Sequence, residues 1–369
     1  MKLSIAKEQF AGGLQSVQNI VTSRTTLPIL SNVLLRAEEK RLELTATDLD
    51  VTIQCEVPAE VSKPGDATLP VKKLFSIVRE LGAPELDLEV NDKAMCSITA
   101  GPSFFKLHGL SAEDFPPVPA FDVPRVVALP QEKLRSMLRK TSFAVSNDES
   151  RYVLNGIFFS LRDHKLTLVA TDGRRLALTD EEVDMDPENA RDFIVPTKAV
   201  QELSRLLQDK GEVEIQVREN QVAFTLRGED GRRALLITKL VEGAYPNYQQ
   251  VIPKESKERV TLIREEFLQA LRRAELMTSD KANSVKLSFT RNQLSITANS
   301  PEVGEARENL AVNYKGGELA VAFNPTFVMD ALKALDDEEV FLELTDELSP
   351  GVLKVNGPFL YVIMPMRMN

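Results

Sequence analysis

The chain has 369 residues, with 45 Lys and Arg against 55 Asp and Glu, a formal net charge of −10 and two cysteines. No apolar run is long enough to span a bilayer, and Met1-Lys2-Leu3-Ser4 does not open a signal peptide. The acidic balance excludes a protein that simply coats nucleic acid, and Cys55 and Cys96, both in strand-like surroundings, read as buried free thiols of a cytoplasmic protein rather than as a disulfide.

In chain order, a helical pattern starts at Ile5-Ala6-Lys7-Glu8-Gln9-Phe10 and runs to Leu14 and Val17. Its apolar residues recur at the spacing of one helix face. Arg41-Leu42-Glu43-Leu44 then alternates as a strand and leads into Leu44-Thr45-Ala46-Thr47-Asp48. A second helix follows from Pro70-Val71-Lys72-Lys73-Leu74-Phe75, and Leu86-Asp87-Leu88-Glu89-Val90 reads as a strand. Phe115-Pro116-Pro117-Val118 is an extended linker, because its prolines forbid a helix.

The same series then returns. A helix opens at Pro130-Gln131-Glu132-Lys133-Leu134, with Pro130 at its first position, where a missing N–H costs nothing. A strand at Lys165-Leu166-Thr167-Leu168 leads into Leu168-Val169-Ala170-Thr171-Asp172. A helix from Pro196-Thr197-Lys198, a strand at Val213–Val217 and the linker Tyr245-Pro246-Asn247-Tyr248 complete the unit. A third series follows: a helix from Arg264-Glu265-Glu266-Phe267, the eroded motif Ile296-Thr297-Ala298-Asn299-Ser300, a helix at Asn324-Pro325-Thr326-Phe327 and a strand at Val340–Leu344. A repeat of this length fixes the architecture before any single site is considered. The boundaries fall near 122 and 250, giving domains 1–122, 123–250 and 251–369. The class is α+β, with helices on one face of antiparallel sheets.

No catalytic constellation is visible. His108 and His164 have no metal-ligand spacing, no CxxC, P-loop or GxGxxG occurs, and Gly12-Gly13 sits inside a helical pattern. Asp48 and Asp172 suggest a metal-dependent enzyme. An Asp after Ala-Thr at a strand end more simply caps its own turn, and Ser300 in the third copy is a poor metal ligand. We therefore expect no cofactor, no metal and no enzyme activity. The helices are less acidic than the rest. Lys133, Arg135, Arg139 and Lys140 lie in one, Lys72, Lys73 and Arg79 in another, and Lys198, Arg205, Lys210, Arg264, Arg272 and Arg273 belong to others. Basic helices on an acidic protein would draw a polyanion to one face through phosphates, without reading sequence.

Arg24-Thr25-Thr26-Leu27-Pro28-Ile29-Leu30, Tyr152-Val153-Leu154-Asn155-Gly156, Ala170-Thr171-Asp172-Gly173-Arg174-Arg175-Leu176 and Tyr361-Val362-Ile363-Met364-Pro365-Met366-Arg367, in this order and spacing, resemble the beta subunit of bacterial DNA polymerase III. The likeness to this family of sliding clamps spans the chain. It implies three tandem clamp-type domains, a head-to-tail homodimeric ring around duplex DNA, and a processivity factor for the replicative polymerase. By resemblance, Arg24, Lys72, Lys73 and Lys198 would touch DNA, with Tyr152 near it. Phe105 and Leu107 would meet Leu276 and Met277 across the dimer seam, and Glu302, Glu305 and Glu308 would face Lys73 or Lys106. On the residues alone, Leu276 also suits a helix's apolar face. A partner-peptide groove maps to Leu154, Thr171, Gly173, Arg175, Leu176, Pro246, Val251, Val362, Ile363, Met364, Pro365, Met366 and Arg367. It would take short motifs of the polymerase alpha subunit, the clamp loader and repair polymerases in competition. A terminal apolar run rich in methionine suits such an adaptable surface. Gln250, Pro350, Arg174 and the tail Met368-Asn369 depart from the family pattern. The alternative is a soluble peptide-binding scaffold that never encircles DNA.

Overall fold

The computed structural model describes residues 1–21, 27–121, 123, 127–229, 231–279 and 283–367. Each sequence repeat runs strand–helix–three strands, and then does so again. Among the described residues the α-helices are α1 (Lys7–Gln18), α2 (Val71–Glu80), α3 (Gln131–Thr141), α4 (Thr197–Leu206), α5 (Arg264–Glu275) and α6 (Pro325–Ala334). Each repeat therefore opens on a strand, not on a helix. Ile5 and Ala6 belong to the strand Lys2–Ala6, where Leu3 and Ile5 are buried in alternation, and the helix begins only at Lys7. Pro130 likewise ends the strand Val127–Pro130. That strand lies at a sheet edge, where proline is tolerated.

The two halves of a repeat exchange their leading strands. Lys2–Ala6 pairs with Glu85–Val90 of the second half, while Gly65–Pro70 pairs with Asn32–Glu38 of the first. The second repeat pairs Val127–Pro130 with Glu212–Val217 and Arg191–Pro196 with Gly156–Arg162. In the third, Glu258–Ile263 pairs with Glu339–Leu344 and Leu319–Phe323 with Val285–Thr290. The exchange makes the halves interdependent, because neither sheet is complete without the other half's strand.

Contacts gather the chain into two compact units. The first comprises Met1–Arg135, Val183–Asn189 and Lys198–Leu240. It holds a five-stranded sheet, ordered Glu60–Lys63, Lys2–Ala6, Glu85–Val90, Met95–Ala100, Ser103–His108, and an eight-stranded sheet. The eight-stranded sheet is continuous across the repeat boundary, because Val51–Pro58 pairs antiparallel with Arg233–Lys239. Helix α1 buries Phe10, Gly13, Leu14 and Val17 against the strands Arg41–Thr47 and Val51–Pro58 and against α2. Gly13 is required there, since a Cβ would come within 2.9 Å of Val57 Cγ1.

The second unit comprises Ser136–Glu182, Ala190–Thr197 and Val241–Asn369. Its eight-stranded sheet is built the same way, with Arg175–Glu182 pairing antiparallel with Phe359–Ile363 across a repeat boundary. Its four-stranded sheet runs Gly304–Ala311, Gln293–Ser300, Val285–Thr290, Leu319–Phe323. Helices α5 and α6 pack on each other, burying Phe267, Leu271, Val328 and Leu332. No helix among the described residues is long and apolar enough to cross a membrane.

Where the first two repeats join, Leu236 lies directly opposite Ile53 and both are fully buried. Leu236→Ala should therefore cost about 2–5 kcal/mol of stability through lost burial and a residual cavity. Denaturant titration of the full chain checks this; an unchanged midpoint would show that the junction is not packed.

Candidate functional sites

The repeated Thr-Asp motif is a turn. Asp172 Oδ1 accepts from the backbone N–H of Arg174 (2.9 Å) and Arg175 (3.1 Å). Thr171 Oγ1 accepts from Gly173 N (3.1 Å) and donates to Arg175 O (2.6 Å). Asp48 repeats this at Asp50 N (3.0 Å) and Val51 N (2.7 Å), and Thr47 Oγ1 accepts from Leu49 N (3.1 Å). In the third copy Ser300 Oγ instead donates to Ser279 Oγ at 3.2 Å. The carboxylates are occupied in capping, and no cluster of three or more metal-ligating side chains occurs among the described residues. Residue 173 sits at φ +85°, a left-handed conformation that glycine adopts without strain.

Beside this turn lies an apolar cluster in the second unit, at the place expected for the groove. Val169, Leu176 and Val362 are its buried residues, with partly buried Phe158, Leu178, Tyr245, Tyr248, Ile252 and Leu360 packed on them. Leu176 lies opposite Val362, and Met364 N donates to Arg174 O at 2.9 Å. Phe158 stacks on Tyr245 with centroids 4.9 Å apart. Pro246, Val251, Met364, Met366 and Arg367 are exposed, and Thr171 and Pro365 are half-buried. Ile363 and Leu154 are core residues rather than lining, and Leu154 stands outside the floor cluster. Phe158, Leu178, Tyr245, Tyr248, Ile252 and Leu360 are lining that sequence reasoning missed. The tyrosines were in view, in the segment read as a linker.

Arg175 is a support beneath the groove, only 10 % exposed. Its guanidinium donates to Asp172 Oδ2 (3.0 Å), Asp330 Oδ2 (2.7 Å) and Phe143 O (2.6 Å) and lies 4.4 Å from the Phe327 ring centroid. Tyr361, its hydroxyl pushed up by burial, stays neutral and donates to Phe327 O at 2.9 Å. One planar fork thus ties the turn, the end of the α3 region and α6 together.

The basic residues are dispersed. Lys72 and Lys73 are exposed on α2, Tyr152 is 57 % exposed, and Arg24 lies outside the described residues. Lys198, at the start of α4, ion-pairs with Asp48 Oδ2. Arg135 pairs with Asp209, Arg139 with Asp336 and Arg273 with Glu308. Such exposed pairs contribute little and exchange readily for other anions.

Two sheet edges carry exposed apolar groups. Ser103–His108 ends the five-stranded sheet, with Phe104 and Phe105 58 % and 39 % exposed and Leu107 half-buried. Gly304–Ala311 ends the four-stranded sheet. Leu276, the residue after α5, is 73 % exposed, so the alternative of an ordinary helix-core residue is wrong: the helix stops before its side chain can turn inward. Met277 is half-buried, its Sδ 3.8 Å from a Cβ position on Gly304. Glu308 is taken by Arg273 Nη2 at 2.6 Å.

Lys in place of Arg175 keeps the charge and loses the fork. Arg175→Lys should lower stability by about 1–3 kcal/mol, since buried acceptors lose their partners. Unchanged melting would show that the network holds nothing together.

Models of the DNA polymerase III beta subunit match along the chain: the N-terminal domain at 1–119, the central domain at 128–247 and the C-terminal domain at 249–367. Beta sliding clamps of Chlamydia pneumoniae and Bacillus subtilis are 38 % and 31 % identical to it, each aligned over 100 % of both chains. The crystal structure of the DNA polymerase III beta subunit from Pseudomonas aeruginosa superimposes with a TM-score of 0.93 at 34 % identity, and the Bacillus subtilis clamp with 0.94 at 30 %, both covering 100 % of either chain. Three tandem clamp domains, antiparallel sheets that continue across the repeat boundaries and the paired helices are thus accounted for together: the chain belongs to the DNA polymerase III beta subunit family, the bacterial sliding clamps.

Proposed function

We propose that two copies close head-to-tail into a ring around duplex DNA. The observation that carries this reading is an incomplete series of strand pairings. Within the chain, the last strand of one repeat's first half twice pairs with the last strand of the next repeat's second half. That rule leaves Ser103–His108 and Gly304–Ala311 without such a partner, one at each end of the series. Pairing them between copies gives a heterologous contact, which must close or grow into a filament; open edges that present apolar groups favour such pairing. Phe105 and Leu107 would then pack near Leu276 and Met277.

The internal junctions also set a register. Ala234 opposes Cys55 and Phe359 opposes Thr179. Leu44, Leu168 and Ile296 are equivalent and lie opposite Cys55, Thr179 and Glu308, so the equivalent residues at the open ends are Ser103 and Glu308, which places Phe105 opposite Ala306 and Lys106 opposite Glu305. A charged contribution of this kind makes closure sensitive to salt.

The ring reading gives the basic helices a role. Lys72, Lys73, Lys198 and Arg24, with Tyr152, would meet phosphates weakly and without sequence preference, leaving the ring free to slide. Retention is then topological and needs no catalysis, metal or cofactor. The groove, with Gly173 at its turn, Arg175 beneath it and the exposed rim from Pro246 to Arg367, would take short motifs of the replicative polymerase, the clamp loader and repair polymerases. A Pseudomonas aeruginosa clamp bound to griselimycin supports small peptide-like ligands as binders in this family. Domains 1–122, 123–250 and 251–369 and a cytoplasmic site of action complete the reading.

Two experiments test it. Ser103→Cys with Glu308→Cys should trap a covalent dimer on mild oxidation, while Ser103→Cys with Leu310→Cys should not. The native thiols do not interfere, because burial pushes Cys55 up to about 11 and Cys96 up to about 12, leaving little thiolate at neutral pH. Equal trapping of both pairs, or none, contradicts the register. Removing 364–369 should abolish binding of polymerase peptides and leave the dimer intact on sedimentation; retained peptide binding contradicts the groove.

A further inference from the structure

The six leading strands each form one end of a sheet or lie next to it, and among the described residues nearly all are covered or blunted. Lys2–Ala6 is covered by Glu60–Lys63, with Leu3 opposite Val61 and Ser4 opposite Glu60. Gly65–Pro70 is bridged by Leu110, whose N–H donates to Thr68 O. Val241 N donates to Ile194 O on Arg191–Pro196, and Met366 N to Ala322 O on Leu319–Phe323. Val127–Pro130 is only four residues long and ends in proline, a common way to blunt an edge. Glu258–Ile263 is the exception: it ends the eight-stranded sheet of the second unit.

Its free groups can be named. Arg264 N donates to Glu338 O, so the bonded pairs continue through Leu262 and Val260. Bonding alternates along an antiparallel pair, which turns the N–H and C=O of Arg259, Thr261 and Ile263 outward. In the first repeat the covering segment follows directly after Val51–Pro58. In the third no ladder forms on this edge: after Gly304–Ala311 the chain runs beside it, Leu310–Asn313 across a gap from Thr261–Ile263 and Gly316 against the Glu258 carboxylate, while Tyr314 buries its ring 5.6 Å from that of Phe289 and its hydroxyl donates to Gly317 O at 2.6 Å. What remains beside the edge is a groove of about 410 Å³ lined by Thr261–Ile263, Leu310–Asn313, Glu266 and Glu339. Its charged lining is entirely carboxylate, and Ile263 is 40 % exposed.

We propose that this edge takes an extended basic segment of a partner protein as an added strand, placed as Glu60–Lys63 is placed in the first repeat. The first repeat supplies the template. An apolar residue corresponding to Val61 sits opposite Val260, the added backbone pairs with Arg259, Thr261 and Ile263, and flanking Lys or Arg side chains meet Glu266 and Glu339. Main-chain bonds give the affinity and the two carboxylates select for positive charge. The surface shares Leu310 and Ala311 with the end of the seam strand Gly304–Ala311.

The test uses the full chain and two capped peptides, Arg-Lys-Val-Ser-Lys-Arg and its charge-reversed counterpart Glu-Asp-Val-Ser-Asp-Glu. The basic peptide should slow amide exchange at Arg259, Thr261 and Ile263 and bind about tenfold more tightly than the acidic one. Thr261→Pro removes an outward N–H without touching the ladder to Glu339–Leu344 and should abolish both effects. Glu266→Gln with Glu339→Gln leaves the backbone alone, decides the matter if the proline variant misfolds, and should erase the preference for the basic peptide. Equal binding of both peptides without protection of those amides overturns the proposal. Protection that rises with protein concentration in the absence of peptide also overturns it, assigning the edge to a second copy.

Discussion

Backbone hydrogen bonding at strand ends governs this architecture more than any side-chain contact does. A sheet edge is a row of unmet donors and acceptors, and a fold with twenty-five strands among its described residues must dispose of its edges. The chain does so first within each repeat, by exchanging leading strands between halves, and then between repeats, by joining last strands. Both steps make the repeats cohere into long sheets, so the compact units of the folded chain do not follow the divisions of the sequence. Two edges of the joining kind are left over at opposite ends of the series, and the proposed head-to-tail assembly rests on that remainder.

The same constraint locates the groove. Where Arg175–Glu182 meets Phe359–Ile363, the turn after Thr171 must reverse tightly while leaving the surface open. Asp172 and Thr171 hold the reversal, Gly173 supplies the left-handed backbone and Arg175 props the turn from below. At the matching turn of the first repeat Leu49 takes the left-handed position at φ +78°, a conformation costly for a bulky residue. The two turns share one hydrogen-bond pattern and present different surfaces. One turn is packed as a structural junction, and the other borders the surface proposed to take partner peptides.

Much of this was legible in the residues. The Leu-x-Ala-Thr-Asp motif disclosed the repeat because two strand-end turns keep the same capping groups, while the third copy, Ile296–Ser300, keeps only its place in the series and bonds Ser279 instead. The strand at Lys165–Leu168 showed by its alternation, and the helices from Val71 and Arg264 by their spacing. The leading strands were not legible: Leu3-Ser4-Ile5-Ala6 is too short for alternation to separate it from the helix it precedes. Strand exchange was hidden as well, since nothing local records which sheet a strand joins. In the groove, the terminal Val-Ile-Met-Pro-Met run stood out as apolar, but burial of Ile363 and the supporting role of Arg175 depend on partners far off in sequence, Asp330 and Phe143 among them. Charge was legible only in sum. That Lys198 and Arg139 are already paired with Asp48 and Asp336 comes from tertiary neighbours.

Weak, exchangeable cation pairs suit a ring that holds DNA by enclosing it, and would be a poor basis for holding DNA by attraction. Retention after loading by a clamp loader, compared between circular and linearised plasmid at raised salt, separates the two most directly. A closed ring stays on the circle and runs off the linear ends. Equal release from both once salt screens the phosphates would mean that attraction alone held it, and the peptide-binding scaffold would be the better description of the chain.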